Sequence, residues 1–459
     1  MLNIFLFFVA VCSFLTFLFP RLGLWLMLVV GLLADPVRKL TPDQPLYINL
    51  AFLVIFAVIY LTQRKRLPKE QRLLSLFPGI RLPFQLFLIF LAINAIRPVL
   101  VNIAYLKLVL FSAVQYLGLF LAAQFGYNLV KDEKTIIKFS DVFIITMLPF
   151  LFSVVLTFMG FDEIYPVLRV MHTMGEGQRY LLQKSDIGAV AMLSGLFRNP
   201  EGMGLFAMVV SVICCYLLAR KKCNLQRLVY YLGVLILSMF CVLVSARRKY
   251  LLGVFLFILI FIILSMRKNF NKGLVYLFLF MAVSGAFFYY AGKIENVQIY
   301  LDQGESSVED VQERLNQGMS VIGVIRRYGL FGRGLGFATQ GAAHLGTVER
   351  GVPETGPAKV VTELGVPGFL SFLMILLAYI WGVYKRVIKG RFKDATEVTG
   401  VFLLSLVITH LTIIVISHQT YADPLVAITT GFTAGFLLAY PRIKQENIVF
   451  SGQELPKNV

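Results

Sequence analysis

Charge is scarce in this 459-residue chain: Asp, Glu, Lys and Arg make up 15% of it, where a soluble domain carries about 25%. Carboxylates are scarcer than cations, 25 against 43, for a net charge of +18. In a soluble protein that balance would suggest nucleic acid. Cytoplasmic loops of membrane proteins collect Lys and Arg for a different reason, and we expect no nucleic-acid partner. There are five cysteines, Cys12, Cys214, Cys215, Cys223 and Cys241, all in or beside apolar stretches. That pattern gives neither a disulfide framework nor metal-ligand spacing. Internal repeats and low-complexity tracts are also missing.

What fills the chain is hydrophobic sequence, 58% of it, in blocks such as Leu2–Phe19, Tyr47–Leu61, Asp141–Met159 and Leu228–Val244. A helix crossing the hydrocarbon needs roughly 20 mostly apolar residues. These blocks predict an all-α, polytopic membrane helix bundle of about 12–13 spans embedded in a lipid bilayer. The first block lacks a charged leader and an A-x-A cleavage site, so it reads as a retained span.

Basic linkers orient the spans. Gln63–Arg72, Arg220–Arg227, Arg267–Lys272 and Lys385–Lys393 are expected inside. Counting spans between them puts 292–365 outside, as one large extracytoplasmic loop. The expected organisation is membrane helices over 1–291, this loop over 292–365, further membrane helices over 366–440 and a cytoplasmic tail over 441–459. The loop holds seven Lys/Arg and nine Asp/Glu, so it is not a basic tail. Ser307 precedes Asp310 in a capping-box-like start. Val308, Val311, Leu315, Met319 and Ile322 then recur at helical steps, predicting a partly helical loop with an amphipathic helix.

Several cations fall on the expected outer side, against the positive-inside tendency. Arg247, Arg248 and Lys249 interrupt the apolar stretch from Leu228 to Met266. At the bilayer centre each would cost about 2.5–3.5 kcal/mol, so they belong at a surface turn. Either they snorkel or they form an anion site above the membrane. Arg198 precedes Asn199-Pro200, an N-cap followed by a first helical proline. An ordinary cap is one reading; a phosphate site at a helix N-terminus is the other. Arg314 flanks the loop helix, with Arg326 and Arg327 near its end. Gly332-Arg333-Gly334-Leu335-Gly336 has no strand–turn–helix context and reads as a turn. His410 lies inside a span as a packed polar residue, and Lys107 falls one turn into a span, where it can snorkel.

Four stretches, in order, resemble the O-antigen ligase and O-antigen polymerase superfamily, GT-C-like enzymes of bacterial surface polysaccharides. Leu193–Gly204 looks like the family's G-x-F-x-(N/D)-P-N segment, and Val244–Leu252 like its S-R-x-x-x-L turn. Arg314–Gly336 is similar to its R…P-L-x-G-x-G-x-G stretch, and Glu354–Gly368 to H-N-x-x-L-x-x-x-x-E-x-G-x-x-G. The likeness covers roughly residues 185–440. It implies transfer of a glycan from a polyprenyl (undecaprenyl) diphosphate carrier to an acceptor hydroxyl of a glycan or glycolipid. The reaction would occur on the outer face of the cytoplasmic (inner) membrane, without nucleotide sugar, metal or other cofactor. The resemblance assigns the diphosphate to Arg248, Arg247, Arg198 and Arg314. It places Glu354 at the histidine position, as general base, with His344 as the alternative base; a solvated loop carboxylate is the plain reading of Glu354. Ala191 and Met192 stand where the family has its first arginine, and Arg198 is the candidate substitute. The acceptor is expected to be a second carrier-linked glycan, which makes a polymerase; a lipid A core would make a ligase. No D-x-D or double-Asp signal supports a metal-dependent glycosyltransferase, which would have to use Asp35 and Asp43. A transporter is the reading from another class, with Lys107 and His410 as its only intramembrane ionisable residues.

Overall fold

The computed structural model describes residues 1–20, 22–42, 46–64, 78–168, 192–220, 224–266, 321–338, 355–384, 396–416 and 423–450, with isolated positions 278, 285 and 289. Within them the chain is helical, with no strand. Thirteen α-helices follow in order: α1 Leu2–Leu18, α2 Gly23–Lys39, α3 Phe52–Arg64, α4 Pro78–Val101, α5 Leu106–Leu129, α6 Glu133–Phe158, α7 Pro200–Ala219, α8 Leu225–Val244, α9 Arg248–Met266, α10 Val321–Tyr328, α11 Gly356–Val383, α12 Thr396–Ile416 and α13 Pro424–Phe450. Among the described residues nine are long and apolar enough to cross a membrane, and Leu2–Leu18 and Tyr47–Thr62 are shorter apolar helices. In lipid every backbone N–H and C=O must be satisfied within the segment, which leaves the helix as the form for such runs. The chain is therefore a multi-pass, all-α membrane protein. The stretch 274–291, the last of the membrane helices expected over 1–291, lies almost wholly outside the described residues, as do Ser307 and most of the expected loop helix.

The chain divides into two compact units, Met1–Tyr60 with Phe139–Glu313, and Leu61–Lys138 with Arg314–Val459. In unit one α7 is the central helix: Met203, Ala207, Met208, Val210, Val212, Cys214 and Tyr216 are sealed from solvent. It packs on α8 and α9. Gly204 lets α9 close in, since a Cβ there would lie 2.5 Å from the Tyr250 ring and 2.9 Å from Ser245 Oγ. A Ser211–Ser238 hydroxyl pair at 2.8 Å ties α7 to α8.

Unit two is built on α5 against α13. Small residues let the backbones touch: a Cβ on Gly431 would lie 2.3 Å from Leu119 O, and one on Gly435 2.2 Å from Ala123 O. Such seams drive helix association in lipid, where burial of apolar surface gives little. Beside them α4 packs on α11, with Phe87, Phe120, Tyr116 and Phe372 in mutual ring contact. α11 breaks at Gly365, where φ is +71°. Residues 356–364, assigned by span counting to the external loop, thus form the first third of this helix, and the break falls at the expected loop boundary.

Candidate functional site

The polar residues of unit one gather where α2 ends, α7 begins and α8 turns into α9. α7 starts as the sequence dictates. Asn199 is extended, its side chain accepts from Gly202 N at 2.9 Å, and Pro200 takes the first helical position. The chain before it is anchored by stacking of Phe197 on Phe206 and by Leu196 N donating to Ser153 Oγ at 2.9 Å. This fixes Arg198 at the positive end of α7.

Arg198 is met there by residues from the first fifty positions. Its backbone N–H donates to Asp35 Oδ2 at 3.1 Å. Its guanidinium Nη1 and that of Arg38 both lie 3.2 Å from the Asn49 side-chain oxygen, in the amide orientation that satisfies both donors. Two guanidinium groups thus converge on one neutral acceptor, and Arg38 is only 5% exposed. Next to them Lys39 Nζ donates to Gly195 O at 2.6 Å and Val167 O at 3.1 Å. Burial pulls the Lys39 ammonium down to about 7, with Asp35 opposing the fall.

The α8–α9 turn supplies the second group of cations. Ser245 and Ala246 form a tight turn closed by Ala246 N to Leu243 O at 2.9 Å, with Ala246 at φ +53°. A non-glycine residue there costs roughly 1–2 kcal/mol, a strain of the kind that collects at functional sites. Glu201, in the first turn of α7, takes up two of the three cations. Arg247 Nε lies 3.0 Å from Glu201 Oε1, and Lys249 Nζ lies 2.5 Å from Oε2. Tyr250 Oη donates to the same Oε2 at 2.9 Å. Arg247 and Lys249 are therefore partly neutralised by Glu201, while Asp35 lies beside Arg198 and Lys39.

Of the expected site residues, the structure places Arg198 and Arg247 on adjoining parts of one helix end. Arg248 opens α9, and its side chain lies outside the described residues, as do Arg314, His344 and Glu354. Sequence reasoning missed Arg38, Lys39 and Asn49. A signal was present: Asp35, Arg38 and Lys39 lie at i, i+3 and i+4, on one face of an otherwise apolar helix.

Unit two holds a separate buried polar group. Glu363 on α11 is sealed from solvent. Its Oε2 accepts from Ser112 Oγ at 3.0 Å and Tyr116 Oη at 2.8 Å, both on α5. One turn earlier Lys359 Nζ donates to Gln115 Oε1 at 2.6 Å and sits 5.7 Å from the Tyr116 ring centroid. The glycine-dense turn is clamped onto the same helix: Arg333 N donates to Thr362 O at 2.7 Å, and Val366 N to Leu330 O at 2.8 Å. Two stretches that carry the family likeness, 329–336 and 356–368, are thus one packed substructure. His410 is buried in α12, as expected. Set against protein-family models and against curated proteins, the chain matches none.

Proposed function

We propose that this protein transfers a glycan from a polyprenyl diphosphate carrier to an acceptor hydroxyl at the extracytoplasmic face of the cytoplasmic membrane. The observation that carries the reading is the convergence of the Arg38 and Arg198 guanidinium groups on Asn49 at the N-terminus of α7. Planar forks of this kind donate in pairs to phosphate oxygens, and fixed cations are worth most where charge develops in the reaction. As the acceptor oxygen bonds to the anomeric carbon, the bond from that carbon to the phosphate oxygen breaks. The electron pair leaves with the polyprenyl diphosphate, which Arg38, Arg198, Arg247 and Arg248 stabilise. The acceptor proton goes to a general base, the role that the family likeness gives to Glu354, with His344 as the alternative. Glu201 keeps Arg247 in place. We take the acceptor to be a second carrier-linked glycan, which makes the enzyme a polymerase; a lipid A core is the alternative acceptor.

One observation favours a second reading, a transporter: Lys359 and Glu363 are buried in a broken membrane-spanning helix, where ionisable residues commonly mark transport paths. Deletion in the host, followed by gel analysis of surface glycans, separates the readings. Accumulated single repeats support the polymerase. Carrier-bound long chains beside bare core support the ligase. Unchanged glycans with altered solute uptake refute both. Complementation with Arg38→Gln, Glu354→Gln, Glu354→His and His344→Ala then assigns the roles. Full activity of Arg38→Gln removes the anion site from the reading, and full activity of Glu354→Gln removes Glu354 as base.

A further inference from the structure

Unit two ends in two apolar tips that touch each other. One is the turn between α4 and α5, where Leu100 and Val101 are 80% and 81% exposed and Ile103 and Leu106 follow. The other is the turn after α10, where Leu330 and Phe331 are 60% and 63% exposed. Arg97 Nη1 donates to Phe331 O at 2.9 Å, and Leu335 N donates to Asn94 O at 2.9 Å. The Tyr105 and Phe337 rings meet edge-on with centroids 5.1 Å apart. The tips are therefore one surface held by backbone and ring contacts.

Cations ring this surface. Arg97, Lys107, Arg326 and Arg327 are exposed, and Arg333 is half-buried with its guanidinium 4.6 Å from the Phe337 centroid. Neither 78–107 nor 321–338 contains an Asp or a Glu. α4 and α5 both qualify as membrane spans, so the turn joining them lies at a membrane surface. Exposed apolar residues flanked by Arg and Lys are the composition of elements lying in the headgroup layer. Each basic residue near an anionic surface contributes about 1 kcal/mol.

We propose that this end of unit two binds the phosphate headgroup of an anionic phospholipid. Arg97, Lys107, Arg326 and Arg327 hold the phosphate, and the Leu100–Ile103 and Leu330–Phe331 tips sit among the acyl chains. The proposal does not draw on the glycan-transfer reading.

The test uses the full chain in nanodiscs of equal parts phosphatidylglycerol and phosphatidylcholine, with retained lipid read by native mass spectrometry. The wild type retains phosphatidylglycerol several-fold over phosphatidylcholine, and added salt weakens that enrichment. The Arg326→Gln/Arg327→Gln double variant, altered only at exposed positions, loses most of it. Where that variant fails to fold, Lys107→Gln and the wild-type salt series carry the same decision. Equal retention of the two lipids by the wild type, enrichment unchanged by substitution or salt, or displacement of the lipid by glycerol phosphate as a free anion each overturns the proposal.

Discussion

Glu201→Gln tests whether the α7–α9 junction is held by charge. The carboxylate faces Arg247 at 3.0 Å and Lys249 at 2.5 Å. At an effective dielectric constant of about 20 those two contacts amount to roughly 12 kcal/mol of gross attraction. Desolvation returns several kcal/mol for each ion, so the net worth of the group is far smaller. Removing one partner is another matter, because it leaves the cations desolvated and uncompensated, at about 3–5 kcal/mol. Gln keeps the shape and still accepts from Tyr250, so the loss isolates charge. With the Arg247 side chain 28% exposed, water recovers part of it, and we expect the lower end, about 3 kcal/mol. The assay is denaturant unfolding in micelles of the wild type, Glu201→Gln, Lys249→Gln and the double variant. The double variant should be more stable than Glu201→Gln, because one stranded cation is gone. Glu201→Gln within about 0.5 kcal/mol of wild type, or strictly additive losses, would refute the account.

Gly332→Ala should cost about 2–4 kcal/mol. Its Cβ would lie 2.5 Å from Val361 O at φ +65°, whereas Gly329, at φ +75° with open space around it, serves as control and should lose only about 1 kcal/mol. Asn199→Ala removes the α7 cap and should lower unfolding stability by about 1 kcal/mol, with Asn199→Asp close to wild type. Lys39 titrates near 7 folded and near 10.4 unfolded. Between those values the unfolded chain holds the extra proton, so this group makes stability rise with pH across that window. Lys39→Met should flatten that slope in unfolding curves measured from pH about 7 to 10, and an unchanged slope would refute the assignment.

Local grammar was legible. Asn199-Pro200, the Ser245–Arg247 turn, the Gly332–Gly336 turn and the burial of His410 each follow from spacing and neighbouring residue type. Partners from far along the chain were not. Lys359 and Glu363 look like loop charges to a hydropathy window, and Gln115, Ser112 and Tyr116, about 250 residues away, make their burial affordable. The proposed anion site was half visible for the same reason. Arg198 announces itself through a helix start, whereas Arg38 and Asn49 reach it only through the fold. Arg38 lies at the end of α2, which at 17 residues is too short to rank as a span.

The glycine seam of unit two bears on how the protein is made. Gly126 and Gly435 pack within contact of each other, yet they are about 310 residues apart in synthesis order. At 5–20 residues per second, α5 waits roughly 15–60 s in the bilayer before its mate is translated. During that interval its bare backbone stripe faces lipid or whatever helix arrives first. Quality-control proteases that survey unassembled membrane segments would meet α5 in that state, and a nascent chain halted before residue 424 would be their natural prey.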